Sequence, residues 1–181
     1  RKWQQELSAE CFSNGEKVFW ARDRSKNRKT ILVVDHHVPY FDQDAGSRCA
    51  YSYIQLFVQQ GFHVIFVGDD YLASEPYTTA LQQLGVEVLY GCWYQAHFAE
   101  WLSQCGEYID YAYLTRPPIA NKYIDWVRQF SRAKIIYFGV DLHFLRELRQ
   151  YDIEEDPALL AAANCSKELE LDLCRQADVV H

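Results

Sequence analysis

Five short apolar runs punctuate the chain: ILVVD (31–35), FHVIFVG (62–68), VEVLYG (86–91), YIDYAYLT (108–115) and KIIYFGVD (134–141). They are rich in β-branched and aromatic residues, the mark of strands buried on both faces of a parallel sheet. DVVH (178–181) is a sixth candidate. The stretches between them carry helical spacing. From 47 to 60, Cys49, Tyr53 and Leu56 recur at steps of four and three with Ala50, Ile54 and Phe57 beside them, which makes one apolar stripe. Gly61 ends that helix, and Gly85 ends a second one over Tyr77 to Leu84. QQGFHVIFV and QQLGVEVLY thus repeat one device: helix, glycine stop, strand. Residues 95–105, 119–130 and 157–177 supply further helices. In the last, Ala162, Cys165, Leu169, Leu173 and Ala177 form the apolar side, while Ser166, Lys167, Glu170 and Asp172 face water. Strands alternating with helices require right-handed crossovers and a parallel sheet covered on both faces. The expectation is an α/β, Rossmann-like domain over residues 30–181, preceded over 1–29 by a leading helix (Trp3 to Cys11) and a basic linker.

A chain of 181 residues is long enough for one domain with a full core. The net charge of −7 is uneven. Residues 1–29 hold eight Lys/Arg against four Asp/Glu, so the remainder is strongly acidic. A short basic segment before an acidic domain reads as a solvated tether and argues against a nucleic-acid partner. None of the six cysteines forms a CxxC pair or a zinc-knuckle spacing. Several fall at apolar positions, as reduced core cysteines do, which predicts a reducing, cytoplasmic compartment. No signal peptide and no transmembrane-length apolar run is present. The chain starts at Arg1, holds no Met and stops on ADVVH, so it is expected to be a piece of a longer protein. Its 13 Tyr and 5 Trp both pack and hydrogen-bond, a mix common in carbohydrate proteins.

In open α/β sheets ligands bind beyond the carboxyl ends of the strands. Those ends deliver Asp35, His36 and His37; Asp69 and Asp70; Cys92, Trp93 and Tyr94; Arg116 with Pro117 and Pro118; and Asp141, His143 and Arg146. Gly46-Ser47 opens a helix there. Its free N–H groups could take a phosphate or carboxylate, or Asp44 or Ser47 could simply cap it. Neither GxGxxG nor a P-loop is present, which excludes an ordinary NAD enzyme and a P-loop NTPase. Asp35-His36-His37 matches the tripeptide of the DHH manganese phosphoesterases. Those enzymes also need an Asp-x-Asp motif on an earlier strand, and the 34 preceding residues offer only Asp23 in a charged loop. In VDLHFLRELR, His143, Arg146 and Glu147 share a helix face, and an Asp beside a His orients the ring and raises its basicity. The alternative is a surface helix with Asp141 as its N-cap. Arg116 is a cation stiffened by two prolines at a strand end.

ILVVDHHVPYFDQDAGSR, YTTALQQLGVEVLYG, LTRPPIANKYIDWVR, KIIYFGVDLHFLRE and KELELDLCRQADVV together resemble the N-terminal half of group 1 glycosyltransferases, more closely the bacterial polysaccharide and O-antigen type. The resemblance runs over residues 30–181 and is most specific in VDLHFLRE. It implies one half of a GT-B fold, truncated before the donor-binding domain. That half takes a glycan or lipid-linked acceptor, while the nucleotide-sugar donor is held mainly by the other half. It implies no metal and no cofactor, and no transfer by this half alone. The loop from Asp44 to Arg48 (with Gly46 and Ser47) would approach the donor phosphates, and His36, His37, Arg116 and Arg146 would contact substrate. The family's strand-five end often reads His-Asp. Here Val140-Asp141 stands there, with His143 two residues on, so Asp141 and His143 are the candidate catalytic pair. The rival class is a non-catalytic glycan- or nucleotide-binding module of the same fold.

Overall fold

The computed structural model of the protein describes residues 28–181. The expected leading helix and nearly all of the basic linker lie outside them. Six strands form one all-parallel sheet: β1 (Thr30–Asp35), β2 (His63–Gly68), β3 (Glu87–Leu89), β4 (Tyr111–Thr115), β5 (Lys134–Phe138) and β6 (Val179–Val180). Their spatial order is β3-β2-β1-β4-β5-β6. Six helices connect them: α1 (Ala45–Gln59), α2 (Tyr77–Gln83), α3 (Cys92–Cys105), α4 (Pro117–Phe130), α5 (His143–Glu154) and α6 (Pro157–Gln176). This is the Rossmann-like α/β architecture the alternating runs require. The chain leaves β1 in one direction across the sheet and resumes at β4 on its other side, which opens a crevice between the carboxyl ends of β1 and β4.

Side chains alternate across each strand, and the core divides accordingly. Leu32, Val34, Ile65, Val67 and Leu114 face one layer with Leu102, Tyr123, Ile124 and Leu173 from α3, α4 and α6. Ile31, Val33, Val64, Phe66 and Tyr113 face the other with Ile54 of α1 and Leu81 of α2. Gly61 and Gly85 take φ of +84° and +88° just past α1 and α2, the left-handed turn that glycine adopts without strain.

Several expectations are corrected. β4 begins at Tyr111, because Gly106–Tyr108 coils into a 3₁₀ turn. β5 ends at Phe138, because Val140 turns into left-handed backbone at φ +69°. Asp141 does not cap α5. The N-cap position is Leu142, whose side chain accepts nothing, and Glu170 of α6 accepts the Phe144 N–H at 3.2 Å instead. Glu170 is therefore not on the wet side: α5 lies over α6 and leaves it 4% exposed. On α6, Leu169, Leu173 and Ala177 reach the core, whereas Ala162 and Cys165 are exposed. Leu56 of α1 is exposed as well. Of the described cysteines, all free, Cys105 is buried, Cys49 and Cys174 are half-buried, and Cys92 and Cys165 are exposed, so the core-cysteine reading holds only in part. Among the described residues, no helix is long and apolar enough to cross a membrane.

Candidate functional site

The crevice is organised by Asp35, an acid that the sequence marks at a strand end but that was given no role among the expected site residues. Asp35 ends β1 and is 2% exposed. A buried carboxylate must be paired. Its Oδ1 accepts from Arg116 Nε at 2.8 Å, from the His36 N–H at 2.7 Å and from His36 Nδ1 at 2.8 Å. Burial pushes the Asp35 carboxyl up, but the His36 donors and the Arg116 charge together outweigh it and hold the group below the usual carboxylate range. The ionised oxygen can only accept, so His36 Nδ1 donates the proton in this contact and Nε2 is the ring nitrogen left outside it. The His36 side chain is partly exposed, with the His37 ring 3.6 Å away between centroids.

Arg116 reaches this acid from β4 through unusual backbone. Its φ is +58° directly before Pro117, in a region non-glycine residues rarely occupy, and its N–H donates to Phe138 O at 2.9 Å. Strain of this kind gathers at functional sites. The guanidinium also faces the start of α1: a Cβ added at Gly46 would stand 3.3 Å from Arg116 Nη2, 3.2 Å from Asp44 Oδ1 and 3.8 Å from Val140 Cγ1. Gly46 thus lets β4, β5 and α1 converge on one point. The two readings of this helix start are resolved toward the cap. Asp44 is the N-cap, its Oδ1 accepts the Ser47 N–H at 2.8 Å, and Ser47 itself is buried. Contacts from the Ser47 side chain and backbone, the Gly46 N–H and Arg116 hold the Asp44 carboxyl below its ordinary range. A carboxylate therefore already stands where an incoming anion would sit.

The wall beyond His36 is aromatic and hydroxyl-rich. His37 gives its Nδ1–H to Val38 O at 2.7 Å and stacks on Tyr40 at 4.4 Å between centroids. Tyr40 OH meets Ser74 Oγ at 3.0 Å. From β2, Asp69 Oδ1 accepts from Lys122 Nζ at 2.5 Å and Tyr123 OH at 2.7 Å, and Tyr71 OH lies 2.8 Å from Tyr123 OH. Burial pushes the Tyr71 hydroxyl up to about 12 and Tyr123 higher still, so both are neutral donors.

Not every expected residue joins this centre. Arg48 is exposed, donates its Nε–H to Phe41 O at 3.3 Å, and lines a cleft of about 480 Å³ that begins at Asp44 and Ala45 and runs along α1 past Ser52 and Tyr53. Asp141, His143 and Arg146 form a second cluster past β5. Asp141 accepts from Arg146 Nη1 at 2.9 Å, and His143 Nε2 lies 2.7 Å from Asp141 Oδ1 in an ion-pair contact not aligned as a hydrogen bond. That acid is half-exposed, unlike Asp35. The cue for Asp35 was available: an acid closing a wholly apolar strand has to find a cation. Its partner, 81 residues away, was not. Among the described residues, no three His, Cys, Asp or Glu side chains are gathered in a metal-binding group. Comparison with family models, curated proteins and solved structures finds no match to this chain.

Proposed function

We propose that this domain is the acceptor-side half of a GT-B-type glycosyltransferase, with His36 as the base that receives the acceptor's proton. The Asp35–His36 pair carries this reading. A buried carboxylate at the β1/β4 switch point accepts the His36 Nδ1–H and orients the ring. The surroundings suit a neutral polyol better than an anion: Tyr40 and Ser74 hydroxyls, the Asp69 carboxylate, and a helix start already capped by Asp44. In the step itself, the acceptor O–H proton passes to His36 Nε2 as its oxygen bonds to the anomeric carbon. The carbon–oxygen bond to the nucleoside diphosphate breaks, and that group leaves with the bonding pair. Arg116 is the cation nearest the point where the charge develops. Donor binding belongs to the second half of the fold in this reading, and the catalytic role expected of His143 passes to His36.

The test uses the polypeptide carrying both halves, assayed for sugar transfer. His36→Ala should lower kcat by about 10²- to 10⁴-fold, the usual contribution of a general base. His143→Ala should cost far less. Undiminished turnover in His36→Ala would remove the histidine from the reaction. Sugar binding with no transfer by the complete polypeptide would leave a glycan-binding module.

A further inference from the structure

The loop that carries His36 is fastened by a residue of another element. It runs from His36 to Asp44, between β1 and α1. Backbone bonds hold its start and its turn: His36 O accepts the Asp70 N–H at 3.2 Å, and the Gln43 N–H donates to Tyr40 O at 2.9 Å. Tyr77, the first residue of α2, holds the stretch beyond with one hydroxyl. It donates to Asp42 Oδ1 at 2.7 Å and accepts from Gln43 Nε2 at 2.8 Å. Tyr77 is buried, while Asp42 and Gln43 are exposed residues. Water would satisfy those two side chains equally well, so the bonds do more to fix the shape of the loop than to stabilise the fold.

The same ring begins a row of aromatic contacts that ends on the base. Tyr77 lies 4.8 Å from Tyr40 between centroids, Tyr40 stacks on His37 at 4.4 Å, and the His37 ring meets that of His36 at 3.6 Å. Tyr40 is held in turn by Ser74, whose Oγ is 3.0 Å from its hydroxyl. Asp35 grips the His36 ring at one atom, Nδ1. A single hydrogen bond leaves a ring free to tilt about it, and a flanking ring limits that tilt. Resting on the reading of His36 as the base, we infer that Tyr77 is a positioning residue for it. Its hydroxyl sets the loop, and the row Tyr77–Tyr40–His37 sets the plane of the His36 imidazole. Asp35 decides which nitrogen is bonded, and Tyr77 decides where the other one stands.

The experiment follows the exchange of the His36 Nδ1–H proton with water by NMR, and needs no ligand. Tyr77→Phe keeps the ring and removes both hydroxyl bonds. It should speed that exchange about tenfold, the worth of one net hydrogen bond. Tyr40→Leu interrupts the row and should do the same. Gly61→Ala, with φ of +84° and nothing within 4 Å, takes a comparable amount of stability from the far end of α1 and should leave the proton as it is in wild type. Unchanged exchange in Tyr77→Phe or in Tyr40→Leu overturns the inference. So does an equal rise in Gly61→Ala, since loss of stability alone would then release the ring. In the polypeptide carrying both halves, Tyr77→Phe should lower kcat about 10- to 100-fold, the effect of misplacing a reacting group by up to about 1 Å. Full kcat in Tyr77→Phe overturns the inference as well. A wild type that transfers no sugar while Tyr77→Phe still releases the proton counts instead against the acceptor reading, so the two failures are distinguishable.

Discussion

Asp35 shows how one residue can be both a structural necessity and a chemical device. Breaking a buried ion pair costs about 3–5 kcal/mol because the partner is left uncompensated. Arg116 is partly solvated, so Asp35→Ala should cost about 3 kcal/mol in urea unfolding at pH 7. The pH dependence follows from the depressed carboxyl. The native state holds its proton less tightly than the unfolded chain, whose value is about 3.9. The contribution is therefore complete above that value and is lost as pH falls through the native one. The stability gap between wild type and Asp35→Ala should hold steady above about pH 4 and narrow as pH falls below it. A gap that stays constant across that range would show that the carboxylate charge is not what stabilises the site. At this scale the sequence was half legible. DHH after an apolar run marks the position, and His36, Arg116 and Gly46 were each singled out for their chemistry. The meeting of His36 and Arg116 on a single Asp35 oxygen, with Gly46 beside the guanidinium, depends on β1 and β4 lying side by side, which no local pattern encodes.

Among elements, the junction of α3 with the end of α4 is the least forgiving. Gly106 is buried in the turn before β4, and a Cβ there would run into the backbone carbonyl of Phe130. Backbone cannot swing aside as a side-chain tip can. Gly106→Ala should therefore destabilise the protein by about 3 kcal/mol, as overpacking does when it displaces main chain, read as a lowered urea midpoint at unchanged slope. Gly61→Ala, where nothing lies within 4 Å but φ is +84°, should cost only the smaller backbone penalty of about 1 kcal/mol. The helix stops were readable because Gly61 and Gly85 act locally. The solvent side of α6 was not. Glu170 has the chemistry of a wet residue, and only the lid formed by α5, together with the uncapped Phe144 N–H, turns it inward.

At the scale of the molecule, the sheet is unevenly secured. β1, β2 and β4 lie inside it with almost wholly buried runs, whereas β6 is a two-residue edge strand with both valines exposed. α5 buries none of its residues. Native-state hydrogen exchange should find the amides of β1 and β4 opening only with global unfolding, while α5 and β6 exchange through smaller openings. Equal protection throughout would mean that the α5–α6 layer is as firmly held as the core. The architecture was legible from periodicity alone, since five apolar runs joined by amphipathic stretches admit few arrangements. The lengths of β3 and β5 were not, because VEVLYG and KIIYFGVD stay apolar past the point where the backbone turns away.

The crossing between β1 and β4 also fixes when the crevice comes into being. β1, β2 and β3 follow one another through short crossovers, as do β4 and β5, so each half of the sheet can gather from neighbouring sequence. Joining the halves means bringing Asp35 to Arg116 across 81 residues, the kind of distant pairing that slows folding. Loop closure of that length adds little to the final free energy, and the pairing of β1 with β4 is what brings the two residues together. A chain with either half assembled would have strands, helices and much of its apolar core, yet no neighbour for Asp35 and no oriented imidazole. The oriented imidazole is thus a property of the whole sheet, which neither half holds by itself.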